Sequence, residues 1–242
     1  MDRLKRWDGD ARCILPNLVE LVLENCLKLE NVTHSLPSLT KLTVDGSPDF
    51  YGLRNFPALK HVKVNSSGEW IWGSWTSLSC PISITLCKLP TVHFPSGLRG
   101  FTTLQRLEIS HCEQLVSIPD DWPPCNLSHL SVRHCPKLRE LPSGIQRLKA
   151  LEDMEIIACG QLTHFPEMSG LVSLIRLEIV ECDSIQSLPN AGLPSSLQFL
   201  SITKCPQLAW SCTTTGSKDQ RKIKNIFSVW IDECEVSTSA RY

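Results

Sequence analysis

The hydrophobic positions of this chain fall into one spaced pattern that returns along most of its length. The clearest copy is Leu104-Gln-Arg-Leu107-Glu-Ile109-Ser-His-Cys112-Glu-Gln-Leu115, or L-x-x-L-x-L-x-x-C-x-x-L with other aliphatics allowed at the leucines. Copies led by Leu127, Leu151, Leu174 and Leu197 follow at intervals of 23, 24, 23 and 23 residues. A further copy led by Leu18 opens the array. Weaker copies run through Leu39/Leu42/Val44 and Leu59/Val62/Val64, with Ser47 and Ser67 in the cysteine position. A degenerate one fits Ser79/Ile82/Ile84/Cys87, and the last runs Ile226/Val229/Ile231/Cys234 after a longer spacer. A period of this length marks a repeat architecture, in which each unit buries its apolar face against its neighbours.

Within each copy the L-x-L core alternates with period two, which predicts a short strand with one buried face. A return of about 15 residues then starts a parallel strand beside it. Stacked coils of this kind give an α/β-type solenoid shaped as a horseshoe. A parallel β-sheet lines its concave face, and irregular or 3-10 segments with few short helices form its convex face. The returns contain Ile118-Pro, Leu141-Pro, Phe165-Pro and Leu188-Pro, which disfavour regular helix. Only Ser143–Leu151 is expected to form a short helix. The expected organisation is an N-terminal flank over 1–17, about nine repeats over 18–208 with an irregular stretch at 71–103, and a spacer, terminal repeat and tail over 209–242. The flank offers few apolar residues to cover the first coil. The strand at Leu18–Leu23 is therefore expected to be an aggregation-prone edge, and the isolated chain poorly soluble.

Composition narrows the function. A formal net charge of −1 over 242 residues excludes a polybasic nucleic-acid binder as a description of the whole chain. No apolar run approaches the roughly 20 residues of a membrane-spanning helix. The first ten residues are charged throughout and lack the apolar core of a signal peptide, so the expected compartment is reducing and cytoplasmic. Against that background stand twelve cysteines. Eight of them, Cys26, Cys87, Cys112, Cys135, Cys159, Cys182, Cys205 and Cys234, are placed by the repeat in one position. A buried thiol there acts as a small apolar group with a weak donor, able to satisfy a backbone carbonyl after the strand. The alternative is metal, which needs converging thiolates, and the chain has no C-x-x-C.

No phosphate loop, dinucleotide fingerprint, zinc-protease motif or nucleophile elbow is present, so neither an enzyme nor a bound cofactor is expected. A binding surface is better supported. Residues between the buried positions should project from the concave face: Arg106, Glu108, Ser131, Arg133, Glu155, Arg176, Glu178, Ser201 and Lys204. Glu108, Glu155 and Glu178 share one repeat position and could form part of an acidic stripe facing a basic segment of a partner. The competing reading is a solvated face. Trp70, Trp72 and Trp75 read either as fillers of a widened coil or as contact residues. Lys218–Lys224, a short basic cluster, reads as a solvated loop or as a contact to a neighbouring domain.

The repeat followed by L-P resembles the leucine-rich repeats of plant intracellular nucleotide-binding disease-resistance receptors. Leu104-Gln-Arg-Leu-Glu-Ile-Ser-His-Cys112 and Leu200-Ser-Ile-Thr-Lys-Cys-Pro-Gln-Leu208 carry the resemblance, which covers about residues 14–234. The ending Gly216–Asp232 resembles the family's last repeat, with Gln220 where a tryptophan is usual and Phe227 where a proline is common. The resemblance implies a sensor and autoinhibitory module for defence against pathogens. Its partner would be a pathogen effector or a guarded host protein, and it would act together with a nucleotide-binding module. No such module lies within this chain, so it is expected to bind without signalling by itself. No nucleic acid and no membrane insertion are implied. The alternative is a truncated stand-alone scaffold, or a decoy that binds a host protein.

Overall fold

Each L-x-L core lies in a strand whose second and fourth side chains are buried, as in Arg106–Ser110, where Leu107 and Ile109 point inward. The computed structural model describes residues 6–7, 15–32, 35–47, 56–66, 78, 80–94, 100–120 and 126–236. The strands are β1 (Arg6–Trp7), β2 (Glu20–Glu24), β3 (Asn31–Val32), β4 (Lys41–Asp45), β5 (His61–Asn65), β6 (Ser83–Cys87) and β7 (Arg106–Ser110). They continue as β8 (His129–Arg133), β9 (Asp153–Ile157), β10 (Arg176–Val180), β11 (Phe199–Thr203), β12 (Ser228–Ile231) and β13 (Cys234–Val236). β2 and β4 to β12 follow one another in parallel in an 11-stranded sheet that β13 closes antiparallel. β1 and β3 form a separate parallel pair. Among the described residues no helix is long and apolar enough to cross a membrane.

One continuous core runs from Leu21 to Ile231. In the repeat begun by Leu174, the buried side chains are Leu174, Leu177, Ile179, Cys182 and Ile185, all fully enclosed. Each such aliphatic contributes roughly 1.5–3 kcal/mol by leaving water. Because a coil touches only its neighbours, that burial exists only in the stack.

What ends each strand is a left-handed residue. Asn25, Ser66, Lys88, His111, His134, Ala158, Glu181 and Lys204 all hold φ between 49° and 54°, and Gly46 holds the same place at 57°. Positive φ strains a side-chain-bearing residue by roughly 1–3 kcal/mol. The geometry turns the chain inward, so that the next side chain enters the core. It also aims the backbone N–H at the last carbonyl of the following strand: Asn25 to Asp45, His111 to Arg133 and Glu181 to Thr203, all at 2.8–2.9 Å.

The structure moves one repeat relative to the expected register. Val62 pairs with Ile84 and Ile84 with Leu107, so Ile84 and Leu86 are the inward pair of β6. Leu89, not Cys87, fills the position that cysteine holds elsewhere, and Cys87 ends the strand half-buried. A slip of two residues preserves the alternation of faces, so the hydrophobic pattern alone does not reject it. Cys234 is also displaced from the expected place. The chain reverses at Asp232 and Glu233, Ile231 pairs with Cys234 in an antiparallel hairpin, and the thiol is exposed.

The returns are largely irregular. Ser143–Arg147, within the stretch expected to be helical, forms a 3-10 helix. Two α-helices were not legible in the sequence: α1 (Pro206–Thr213), with Pro206 in its first turn, and α2 (Lys218–Ile223). α2 overturns the reading of Lys218–Lys224 as a solvated loop. The Ser217 hydroxyl accepts from the Gln220 amide at 2.9 Å, and the Gln220 side chain accepts from the Gly216 amide at 2.8 Å. This reciprocal cap starts the helix. Asp219 is then carried inside, only 2% exposed, beside Lys222.

Candidate functional site

Parallel pairing in strict register turns the outward positions of the strands into rows that cross the sheet. One row reads Arg106, His129, Asp153, Arg176 and Phe199. Its neighbour reads Glu108, Ser131, Glu155, Glu178, Ser201 and Trp230. Like-signed carboxylates are therefore brought next to one another at Glu155 and Glu178, one strand spacing of about 4.8 Å apart.

The expected acidic stripe is interlaced with cations. Arg133, at the end of β8, reaches across to pair with Glu155 through its guanidinium, while its Nε donates to Ser131 Oγ at 2.8 Å. The Glu155 bond, ahead of the charges of Glu108 and Glu178, holds the guanidinium pKa above its ordinary value despite partial burial. Burial pushes the Glu155 carboxyl up, but Arg133 and Ser131 more than offset it and leave it below the usual carboxylate range. Arg176 Nε stands 3.6 Å from Asp153, which also lies 3.2 Å from His129. Glu108 is 3.8 Å from Arg106 and accepts from Thr85 at 3.3 Å.

Two residues expected on this face are placed otherwise. Ser131 is buried at 4% exposure under the Arg133 side chain, so it positions the arginine and offers nothing to a partner. Lys204 lies beyond β11, at the left-handed turn, and pairs with Glu181 at 2.7 Å on the rim of the sheet. Among the described residues Glu178 makes no hydrogen bond or ion pair, and its charge acts on Arg133 only through space. Trp70, Trp72 and Trp75 lie outside the described residues. His129, Asp153, Phe199 and Trp230 belong to the face and were missed. The alternation that selected Arg106 and Arg176 extends to His129, Asp153 and Phe199, and the one that selected Glu108 and Ser201 extends to Trp230.

The thiols form a second arrangement, on the inside. Cys112, Cys135, Cys159, Cys182 and Cys205 are buried in one column, and each donates its S–H to the carbonyl two residues earlier at 3.3–3.6 Å. Cys205 Sγ also accepts from the Cys182 amide at 3.3 Å. Cys26 makes the same local bond at 3.4 Å, and Ser47 in the next coil accepts from the Cys26 amide. The bond with Cys135, then burial, pushes the Cys112 thiol far up. Among the described residues no three His, Cys, Asp or Glu side chains come together as a metal site. His111 and His134, whose cysteine neighbours point inward, stack outside with ring centroids 4.5 Å apart.

No protein-family model matches the chain, and no curated protein matches its sequence. Among solved structures, the leucine-rich repeat domain of the type III effector XopL is 16% identical, with a TM-score of 0.53 over 88% of this chain and 76% of that one. An internalin of Listeria monocytogenes is 13% identical, with a TM-score of 0.38 over 93% and 83% of the two chains. The fold assignment rests on the first, a leucine-rich repeat domain, together with the parallel sheet described above. The fold is a leucine-rich-repeat solenoid. At such identities the likeness concerns the fold alone, so function has to be argued from the face itself.

Proposed function

We propose that this chain is a protein-recognition module that binds through the concave face of its sheet, without catalysis. The observation that supports this reading is the charge lattice of Arg133, Glu155, Arg176 and Asp153, held in fixed rows by backbone pairing. Side chains set on a rigid sheet lose little freedom on binding, and complementary charge gives specificity and on-rate. The finer reading follows the sequence resemblance. The module serves as the sensor and autoinhibitory part of a plant immune receptor, its ligand is a pathogen effector or a guarded host protein, and it works in the cytoplasm beside a nucleotide-binding module. A ligand would then act only by favouring one receptor state over another. The test is a partner pulldown with the full chain and its Glu155→Arg/Glu178→Arg variant. Partners lost on charge reversal support the reading, and unchanged capture of every partner overturns it.

A further inference from the structure

The C-terminal end of the concave face differs from the rest. Among the described residues the exposed large aromatics are Phe199, Trp210, Phe227 and Trp230, and all lie within the last repeats. At the outward position that Trp230 holds, the N-terminal strands carry Val22, Thr43, Lys63 and Thr85. Trp230 is 45% and Phe227 62% exposed. Phe199 and Phe227 meet edge to face at 6.2 Å, and Arg176 lies 5.9 Å above the Phe199 ring. The Trp230 indole donates to Ser228 at 3.0 Å, which fixes the plane of the ring. Aromatics already held in place lose little freedom on binding and are enriched among the residues that dominate interfaces.

One carboxylate beside this patch, Glu178, makes no ion pair among the described residues. Arg133, Arg176 and Lys204 are each tied to a carboxylate, namely Glu155, Asp153 and Glu181. Glu178 is not tied. The row across the sheet reads Glu178, Ser201, Trp230 and Glu235, because β13 sets Glu235 opposite Trp230. A large apolar surface therefore stands between two carboxylates, about 9.6 Å from the first and 4.8 Å from the second by strand spacing.

We propose that this patch binds an extended basic peptide segment of the partner protein, seating an aromatic or aliphatic side chain against Trp230, Phe199 and Phe227 and a lysine or arginine on Glu178. This rests on the proposed recognition function and names the chemistry of its ligand. An extended residue spans roughly 3.3 Å, so the cation belongs about three residues from the apolar anchor, on the Glu178 side.

The test pans a random twelve-residue peptide display library against the full chain, then measures the enriched peptides on variants. The expected consensus pairs an apolar anchor with Lys or Arg about three residues away. Trp230→Ser should weaken these peptides by about tenfold or more, Glu178→Gln should weaken them by a smaller factor, and Lys63→Glu should leave them unchanged. Panning on Glu178→Lys should replace the basic residue by Asp or Glu. Peptides that ignore Trp230→Ser and Glu178→Lys but are lost on Arg133→Glu overturn this inference while leaving concave-face recognition standing. Peptides indifferent to all of these variants, or no enrichment, overturn both. Trp230 and Glu178 are outside the core, and unchanged thermal unfolding of their variants separates lost contacts from lost fold.

Discussion

The carboxylate of Asp219 and the ammonium of Lys222 meet at 2.7 Å inside the protein, one helical turn apart on α2. Asp219 also accepts from Ser211 at 2.6 Å and from the Leu188 amide at 3.1 Å, while Lys222 donates to the Leu188 carbonyl at 3.0 Å. Two charges thereby clamp the return of an earlier repeat, both helices and the last coil together. Asp219→Ala or Lys222→Met should each cost about 3–5 kcal/mol, because either leaves an uncompensated buried charge. The double variant should cost less than the sum of the two, a coupling readable from denaturant unfolding in a double-mutant cycle.

The same carboxylate sets an acid limit. Burial pushes the Asp219 pKa up, but hydrogen bonds from Lys222, Ser211 and the Leu188 amide outweigh it and hold the group below its ordinary value. A folded pKa below the unfolded one, about 3.9 for aspartate, means stability that is present above that value and lost as pH falls through the folded pKa. Thermal midpoints should therefore drop below about pH 4. Asp219→Asn should start lower at neutral pH and show a shallower acid slope. An unchanged slope would assign the acid transition to other carboxylates.

The cysteine column makes a labelling prediction. Its hydrogen bond with Cys112 pulls the Cys135 thiol down, but the bond with Cys159 and burial push it up, for a net value of about 12. Burial, then the charge of Asp219, likewise raises Cys212 to about 12. The thiolate is the reacting form, so at neutral pH iodoacetamide should modify exposed Cys80 and Cys234 and spare Cys112, Cys135 and Cys212 until the protein unfolds. Mass spectrometry of peptides from native and denatured samples reads this directly. Cys205→Ala should in addition cost about 1–3 kcal/mol, since it leaves the Cys182 amide without its acceptor. Cys205→Ser should cost less, because Ser47 already serves the same geometry beside Cys26.

These features differ in how far the sequence announces them. The period and its alternation specify the parallel sheet because each coil repeats one local solution, and Leu177 and Ile179 sit where Leu107 and Ile109 do. The register at Ile84 fails because alternation is blind to a shift of two residues, and Pro81 replaces the leading leucine that would have fixed it. α2 is hidden because its six residues, Lys218–Ile223, carry four charges, and their reason to fold is a carbonyl and an amide of Leu188 distant in sequence. On the face, Arg133 reads as a free cation in sequence. Only the pairing of β8 with β9 shows that it belongs to Glu155. Phe227 stands where the family resemblance leads one to expect proline, and that departure now forms part of the exposed aromatic patch.

Gly170 gives the sharpest test of how closely the convex returns pack. A β-carbon there would collide with the carbonyl oxygen of Gln146, in the 3-10 helix of the preceding coil. The obstacle is backbone, so no side-chain rotation relieves it, and the two coils must separate. Separation would loosen the core around Ile145, Leu148, Met168 and Leu171, all four fully buried. Gly170→Ala should therefore destabilise the protein by about 1–3 kcal/mol, the range of overpacked core changes. Gly160→Ala, at a position with no atom within 4 Å of the added carbon, should change stability by about 0.5 kcal/mol or less. Denaturant midpoints of the two variants compare them in the same fold. Equal stability would mean that the returns slide apart without cost, and that the stack is held by its sheet alone.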